Sequence, residues 1–110
     1  MPKFERFDIW YTMVRFEEDP GTAKERPALV ITAGTDFGRG LYITSTPPRK
    51  GQRDYPIKNW EAAGLDHAST IRLGRVVPLD GTVCRKKIDT LSKEDIMCLS
   101  LWMANETRTY

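Results

Sequence analysis

From Asp8 to Ile88 the sequence is a succession of short runs rich in β-branched and aromatic residues, each halted by turn chemistry. This rhythm restricts the fold more than any other feature of the 110 residues. Asp8 to Phe16 (DIWYTMVRF) is apolar at most positions of both alternate sets, which predicts a well-buried strand. Glu17-Glu18-Asp19-Pro20-Gly21 then reads as a turn. Arg26 to Thr32 (RPALVIT) predicts a second strand, with Pro27 tolerated at its start. Ala33 to Gly40 carries Gly34, Asp36, Gly38 and Gly40 and reads as a hairpin loop. Leu41 to Thr46 (LYITST) predicts a third strand, stopped by Pro47-Pro48.

The next stretch, Arg49 to Asp54, is a polar, basic loop. Tyr55 to Asn59 reads as a short strand, and Trp60 to Asp66 as a turn or single helical turn ending at Gly64. Thr70 to Val77 (TIRLGRVV) predicts a strand with a bulge at Gly74, and Leu79-Asp80-Gly81 turns the chain into Val83 to Ile88 (VCRKKI). Strands of this length and spacing predict a small antiparallel β-barrel. The ending changes period. Ser92 stands three residues before Asp95, the capping-box pattern. Behind it Ile96, Leu99 and Met103 recur at helical spacing, predicting one amphipathic helix from about Lys93 to Ala104 that packs on the barrel. No repeat or composition shift marks a boundary, so a single domain over residues 1–110 is expected.

Composition excludes several classes. With 40% hydrophobic and 29% charged residues the chain is neither disordered nor fibrous. No apolar stretch approaches the ~18 residues of a membrane span, and Met1 to Ile9 has no signal-peptide core. A cytoplasmic protein without membrane partners is therefore expected. One histidine, His67, and two cysteines, Cys84 and Cys98, cannot furnish the usual zinc set. Both cysteines are expected as small buried hydrophobes, and His67 in a surface turn. The net charge of +2 is small, but it is unevenly spread. Arg39 to Lys87 holds ten bases and four acids, net +6. Such a stretch suits a polyanion-binding face, because Lys and Arg contacts to phosphate dominate nucleic-acid affinity. It equally suits a set of solvated strand faces.

One juxtaposition carries chemistry. If the second and third strands form a hairpin with Ile31 opposite Leu41, Arg26 faces Thr46 and Ala28 faces Thr44. Arg26, Thr44 and Thr46 then share a face, with Arg26 and Thr44 as diagonal neighbours at about 7–8 Å. A one-residue slip brings Ser45 there instead. Pro27 holds the Arg26 backbone extended. A guanidinium fork beside hydroxyls suits phosphate oxygens and a transition state that gathers negative charge on them. Arg72, on the later strand, offers a second cation. The competing expectation pairs Arg26 with Glu25 or Glu17 and leaves the hydroxyls as a strand end.

The order of FDIWYTMVRF, KERPALVIT, YITSTPP, STIRLGRVVPLD and KKIDTLSKEDI, running from about Phe7 to Ile96, resembles the PemK/MazF family of type II toxin–antitoxin toxins. The resemblance implies an SH3-like small β-barrel with a C-terminal helix, assembled as a homodimer. It implies a metal- and cofactor-independent endoribonuclease acting on single-stranded RNA and neutralised by a cognate antitoxin. The 2′-hydroxyl attacks the adjacent phosphate, leaving 2′,3′-cyclic phosphate and 5′-hydroxyl ends. On this chain the family's arginine before proline is Arg26, its threonine–serine pair is Thr44 and Ser45, and the later arginine of some members is Arg72. Arg26 would stabilise the dianionic phosphorane and help protonate the leaving oxygen. Thr44 and Ser45 would orient the phosphate.

The chain departs from the family in ways that bear on mechanism. Gly74 stands where some relatives carry an acid, and no histidine lies between Glu17 and Glu25, so the general base has no owner. Phe7 replaces a common glycine, and Tyr42 a common proline. The basic loop Arg49, Lys50 and Arg53 is expected to contact RNA, with Tyr55 and Trp60 available to stack on unpaired bases. Two other functions are weighed beside cleavage: a catalytically inactive nucleic-acid-binding homologue, and a toxin of the same fold acting on a protein such as a topoisomerase.

Overall fold

The computed structural model describes residues 3–16 and 19–108. The chain is mainly β with one C-terminal helix, in the order β1 (Lys3–Phe4), β2 (Asp8–Phe16), β3 (Asp19–Thr32), β4 (Gly34–Thr35), β5 (Phe37–Thr44), β6 (Asp54–Pro56), β7 (Thr70–Asp80), β8 (Cys84–Thr90) and α1 (Lys93–Arg108). Every pairing is antiparallel. Six strands form one sheet in the order β6-β7-β5-β3-β2-β8, and β1 pairs with β4 alone. The hydrogen-bonded order is open, ending on β6 and β8. No helix among the described residues is long and apolar enough to cross a membrane.

Period-2 alternation places two apolar layers on opposite faces of this sheet. Ile9, Leu29, Leu41, Ile43, Ile71 and Leu73 gather with Tyr55, Leu65, Leu91 and Leu99 of α1 in one layer. Val14, Ala28, Val30, Tyr42, Val77 and Leu79 gather under Phe4 in the other. A sheet buried on both faces explains why DIWYTMVRF is apolar in both alternate sets. Irregularities in the β2–β3, β2–β8, β3–β5 and β5–β7 ladders add twist and bend to it.

Three elements run differently from expectation, each for a local reason. β3 reaches back to Asp19, so Pro20 and Gly21 belong to a strand end and not to a turn. Phe16 pairs with Asp19, and Glu17 and Glu18 between them lie outside the described residues. The stretch Ala33 to Gly40 is no open loop, because β5 begins at Phe37. A Cβ on Gly40 would lie 3.0 Å from the Leu29 carbonyl oxygen and 3.1 Å from Leu79 Cδ1, so this glycine serves close packing between strands. The expected strand from Tyr55 to Asn59 is only Asp54–Pro56. The bulge expected at Gly74 is present, since Leu41 pairs with Val76 and Tyr42 with Arg72.

The helix is fastened by its first turn. Asp95 N–H donates to Ser92 Oγ at 3.2 Å, and Ser92 Oγ donates to Asp95 Oδ2 at 3.0 Å, completing the capping pair. Asp95 is nevertheless fully buried. Its Oδ1 accepts from the Tyr55 hydroxyl at 2.7 Å and from Lys58 N–H at 2.9 Å, and its Oδ2 from Asn59 N–H at 2.9 Å. One carboxylate thus ties α1 to the chain after β6. Burial pushes its pKa up, but these hydrogen bonds outweigh burial and hold it below the usual carboxylate range. Gly64, at φ 80°, closes the turn that follows, where a Cβ would lie 2.9 Å from Ile88 Cγ2.

The carboxylate and the turn can each be tested. Asp95→Asn leaves buried donors without a matching acceptor and is expected to cost about 3 kcal/mol in urea unfolding at neutral pH. The depressed folded-state pKa gives stability that is complete above the unfolded value of about 3.9 and is lost as pH falls further. Thermal melts of the parent are therefore expected to drop below that pH, with Asp95→Asn showing a shallower drop. Gly64→Ala is expected to lower stability by about 1–2 kcal/mol, through both the left-handed backbone and the Ile88 contact.

Candidate functional site

The β3–β5 ladder holds Leu29 opposite Leu41 and Ala28 opposite Tyr42, and it stops there. The register is therefore displaced by two residues from the one expected. Because the displacement is even, Arg26 and Thr44 keep a common side of the sheet, and Arg26 now lies level with Thr44. Past this point β3 stays paired with β2 and β5 with β7, so the two strands part. Pro27, which brings no N–H, stands at the point of divergence. The opening is a cleft of about 600 Å³. Arg26, Thr44 and Ser45 line it together with Thr46, Glu25 and His67.

Local hydrogen bonds shape each wall. On the β3 side the Arg26 guanidinium donates to the Glu25 carbonyl oxygen at 3.2 Å, its only hydrogen bond among the described residues. That contact is with backbone, and no ion pair joins Arg26 to the Glu25 carboxylate. Glu17 lies outside the described residues. On the β5 side Thr44 Oγ1 accepts from Thr46 N–H at 3.2 Å and donates to Thr46 Oγ1 at 3.3 Å, bending the chain at once after the strand. Ser45 is exposed at this bend. The cleft thus offers a fork of donors and three hydroxyls to one occupant.

Arg72 is not among the residues of this cleft. It pairs with Tyr42 on one side and Asp54 on the other. Its guanidinium carbon sits 5.6 Å from the Tyr42 ring centroid, and Arg75 stacks on the same ring at 4.5 Å. Tyr42 in turn lines the cleft.

The basic loop divides by side chain. Arg49 grips Asp54 in a bidentate pair, Nε to Oδ2 at 2.9 Å and Nη2 to Oδ1 at 3.1 Å, while its own N–H donates to Oδ2 at 3.0 Å. The Arg49 hydrogen bonds hold the Asp54 carboxyl below its usual range against the burial that pushes it up. Arg49 is thereby committed to shaping its loop. Lys50 and Arg53 are exposed, beside the β7 bulge, where Leu73 N–H donates to the Arg53 carbonyl oxygen at 2.9 Å. None of the three lines the cleft.

Tyr55 corrects the sequence expectation. Its side chain is 2% exposed, its ring meets Trp102 edge-on at 5.1 Å, and its hydroxyl is given to Asp95. Burial first, and then the hydrogen bond to Asp95, push its pKa far above the usual tyrosine value. No ring face remains for a base, and Trp60 likewise packs against the core. Both cysteines are free thiols. Cys84 is buried, which pushes its pKa up, and Cys98 is half-buried on α1.

The residue that sequence reasoning passed over is His67. It does sit in an exposed bend, but that bend forms a wall of the cleft. The pairing of Thr44 with Thr70 requires it, because residues just before Thr70 must then flank those just after Thr44. Among the described residues no group of three or more His, Cys, Asp or Glu side chains converges as a metal site would need. Compared with known proteins, the chain matches no family model and no curated sequence.

Tyr55→Phe separates the two roles assigned to that ring. It is expected to destabilise the protein by about 2 kcal/mol, the worth of a hydrogen bond to a charged acceptor. Urea unfolding measures this loss, which a ring free to stack on bases would not show.

Proposed function

We propose that the protein is a metal-independent endoribonuclease of the PemK/MazF toxin type, cutting single-stranded RNA in the cleft between β3 and β5. The observation that carries this reading is the meeting of Arg26, Thr44 and Ser45 in one solvent-open cleft. These are the residues on which the sequence resemblance rests, and they come from strands that diverge at that place. In this reading Arg26 stabilises the charge that gathers on the phosphorane oxygens, and Thr44 and Ser45 hold the scissile phosphate. The nucleophile is the substrate's own 2′-oxygen, so the protein's task is alignment and charge stabilisation.

Backbone geometry at a second place supports the resemblance. Phe7 has φ 73°, in the left-handed region that favours glycine, and the family commonly has glycine there. The strain is offset by packing against the core, by Phe7 N–H donating to the Val30 carbonyl oxygen at 2.8 Å, and by Leu91 N–H donating to the Phe7 carbonyl oxygen at 2.9 Å. The SH3-like architecture belongs to the same proposal, with the two apolar layers filling a strongly bent sheet. So do the homodimer and the antitoxin, for which exposed Phe37, Val76, Met97 and Leu101 are available apolar contacts.

A long single-stranded RNA incubated with the protein in chelator is expected to yield 2′,3′-cyclic phosphate and 5′-hydroxyl ends. Arg26→Ala is expected to slow cleavage by about 10²–10³-fold, the usual loss when a charge-stabilising donor is removed. A 2′-deoxy substitution at the cut site should abolish the product. RNA that is bound with steep salt dependence yet stays intact would instead select the inactive binding homologue. RNA neither bound nor cut would turn attention to a protein target.

A further inference from the structure

We infer that His67 is the proton acceptor of this cleft, the group that takes the proton from the attacking 2′-hydroxyl. The inference rests on the endoribonuclease reading and supplies the base that reading lacks. Position 74 cannot supply it, since Gly74 lies on the β7 bulge and lines a different depression, with Met13 and Val76. His67 instead lines the cleft that Arg26, Thr44 and Ser45 also line.

The backbone that carries the imidazole is held by what flanks it. Leu65 is buried, and its N–H donates to the Trp60 carbonyl oxygen at 3.0 Å. Beyond the bend, the Ser69 carbonyl oxygen accepts from Ile57 N–H at 3.0 Å, and Thr70 is buried at the start of β7. Between these anchors Ser69 Oγ donates to the His67 carbonyl oxygen at 2.8 Å, which sets the bend. Only Asp66, His67 and Ala68 project, so the side chain is exposed but its backbone is pinned. That combination suits a group that must meet a substrate at a fixed place.

Chemistry selects His67 from the titratable neighbours. Tyr11, Glu25, Arg26 and Asp66 also face the cleft. An arginine stays protonated and cannot accept. Carboxylates ordinarily titrate near pH 4 and are weak bases at neutral pH, and a phenol is protonated there. Imidazole is the side chain whose ordinary range matches the operating pH, where proton acceptance is most efficient.

The step balances without an added reagent. Imidazole takes the 2′-hydroxyl proton as the 2′-oxygen bonds to phosphorus. The bond from phosphorus to the 5′-oxygen then breaks, and that oxygen takes a proton from solvent water. The imidazolium returns its proton to solvent, so no net proton, water or electron is consumed.

The test compares the parent, Arg26→Ala, His67→Ala and Glu25→Gln on one long single-stranded RNA in chelator, with thermal melts run in parallel. His67→Ala is expected to keep the parent melting temperature, because the bend uses a backbone carbonyl that alanine also provides. Its cleavage rate is expected to fall about 10²–10⁴-fold, the range for loss of a general base. Free imidazole in the buffer should restore part of that rate, which no structural role would allow. Cleavage by His67→Ala within twofold of the parent, while Arg26→Ala is inactive, overturns the role of His67 and leaves the nuclease reading intact. Loss confined to Glu25→Gln overturns it in favour of the carboxylate. No cleavage by the parent removes both ideas together.

Discussion

A single buried carboxylate organises the end of this molecule on which the candidate site depends. Asp95 accepts hydrogen bonds from Tyr55, Lys58, Asn59 and Ser92, and so joins the helix to the segment leading out of β6. That segment runs through Trp60 and Gly64 to Leu65, the anchor of the bend that carries His67. A buried charge is tolerated only when its oxygens are fully occupied, and here the four donors come from both partners. The helix cannot shift without uncovering the carboxylate. The connection cannot shift without leaving its own N–H groups unpaired. Packing of Leu99 and Leu91 against Ile43 and Ile71 then adds the non-directional part of the attraction.

The strands themselves were legible in the sequence, because alternation and turn residues act locally. The runs at 8–16, 70–77 and 83–88, and the helix capped by Ser92, all lie close to their expected places. What could not be read were effects that depend on a distant partner. Gly40 looks like loop chemistry until Leu29 and Leu79 are seen against it. Tyr55 looks like a stacking platform until Asp95, forty residues away in sequence, claims its hydroxyl. The open order of the six-stranded sheet likewise depends on which edges meet, and no local pattern specifies that.

The candidate site was partly legible for the same reason. Arg26 and Thr44 flank one hairpin, so any register of the right parity brings them to one side. The displacement of two residues changed the opposing partner and left the side unchanged. His67 required knowledge that β5 pairs with β7 across an intervening loop and a third strand. Arg72 shows the converse. Its strand was correctly expected, but the bulge at residues 73–75 and the Tyr42 ring set where its guanidinium lies, outside the cleft.

The cleft exists because two strands cease to be neighbours, and this has a mechanical corollary. Its walls are the ends of β3 and β5, whose last paired residues are Ala28 and Tyr42. Beyond that hinge nothing in the ladder fixes their separation. A phosphodiester gripped by a guanidinium on one side and by hydroxyls on the other would serve as the absent rung, closing the seam in the sheet for as long as it stays.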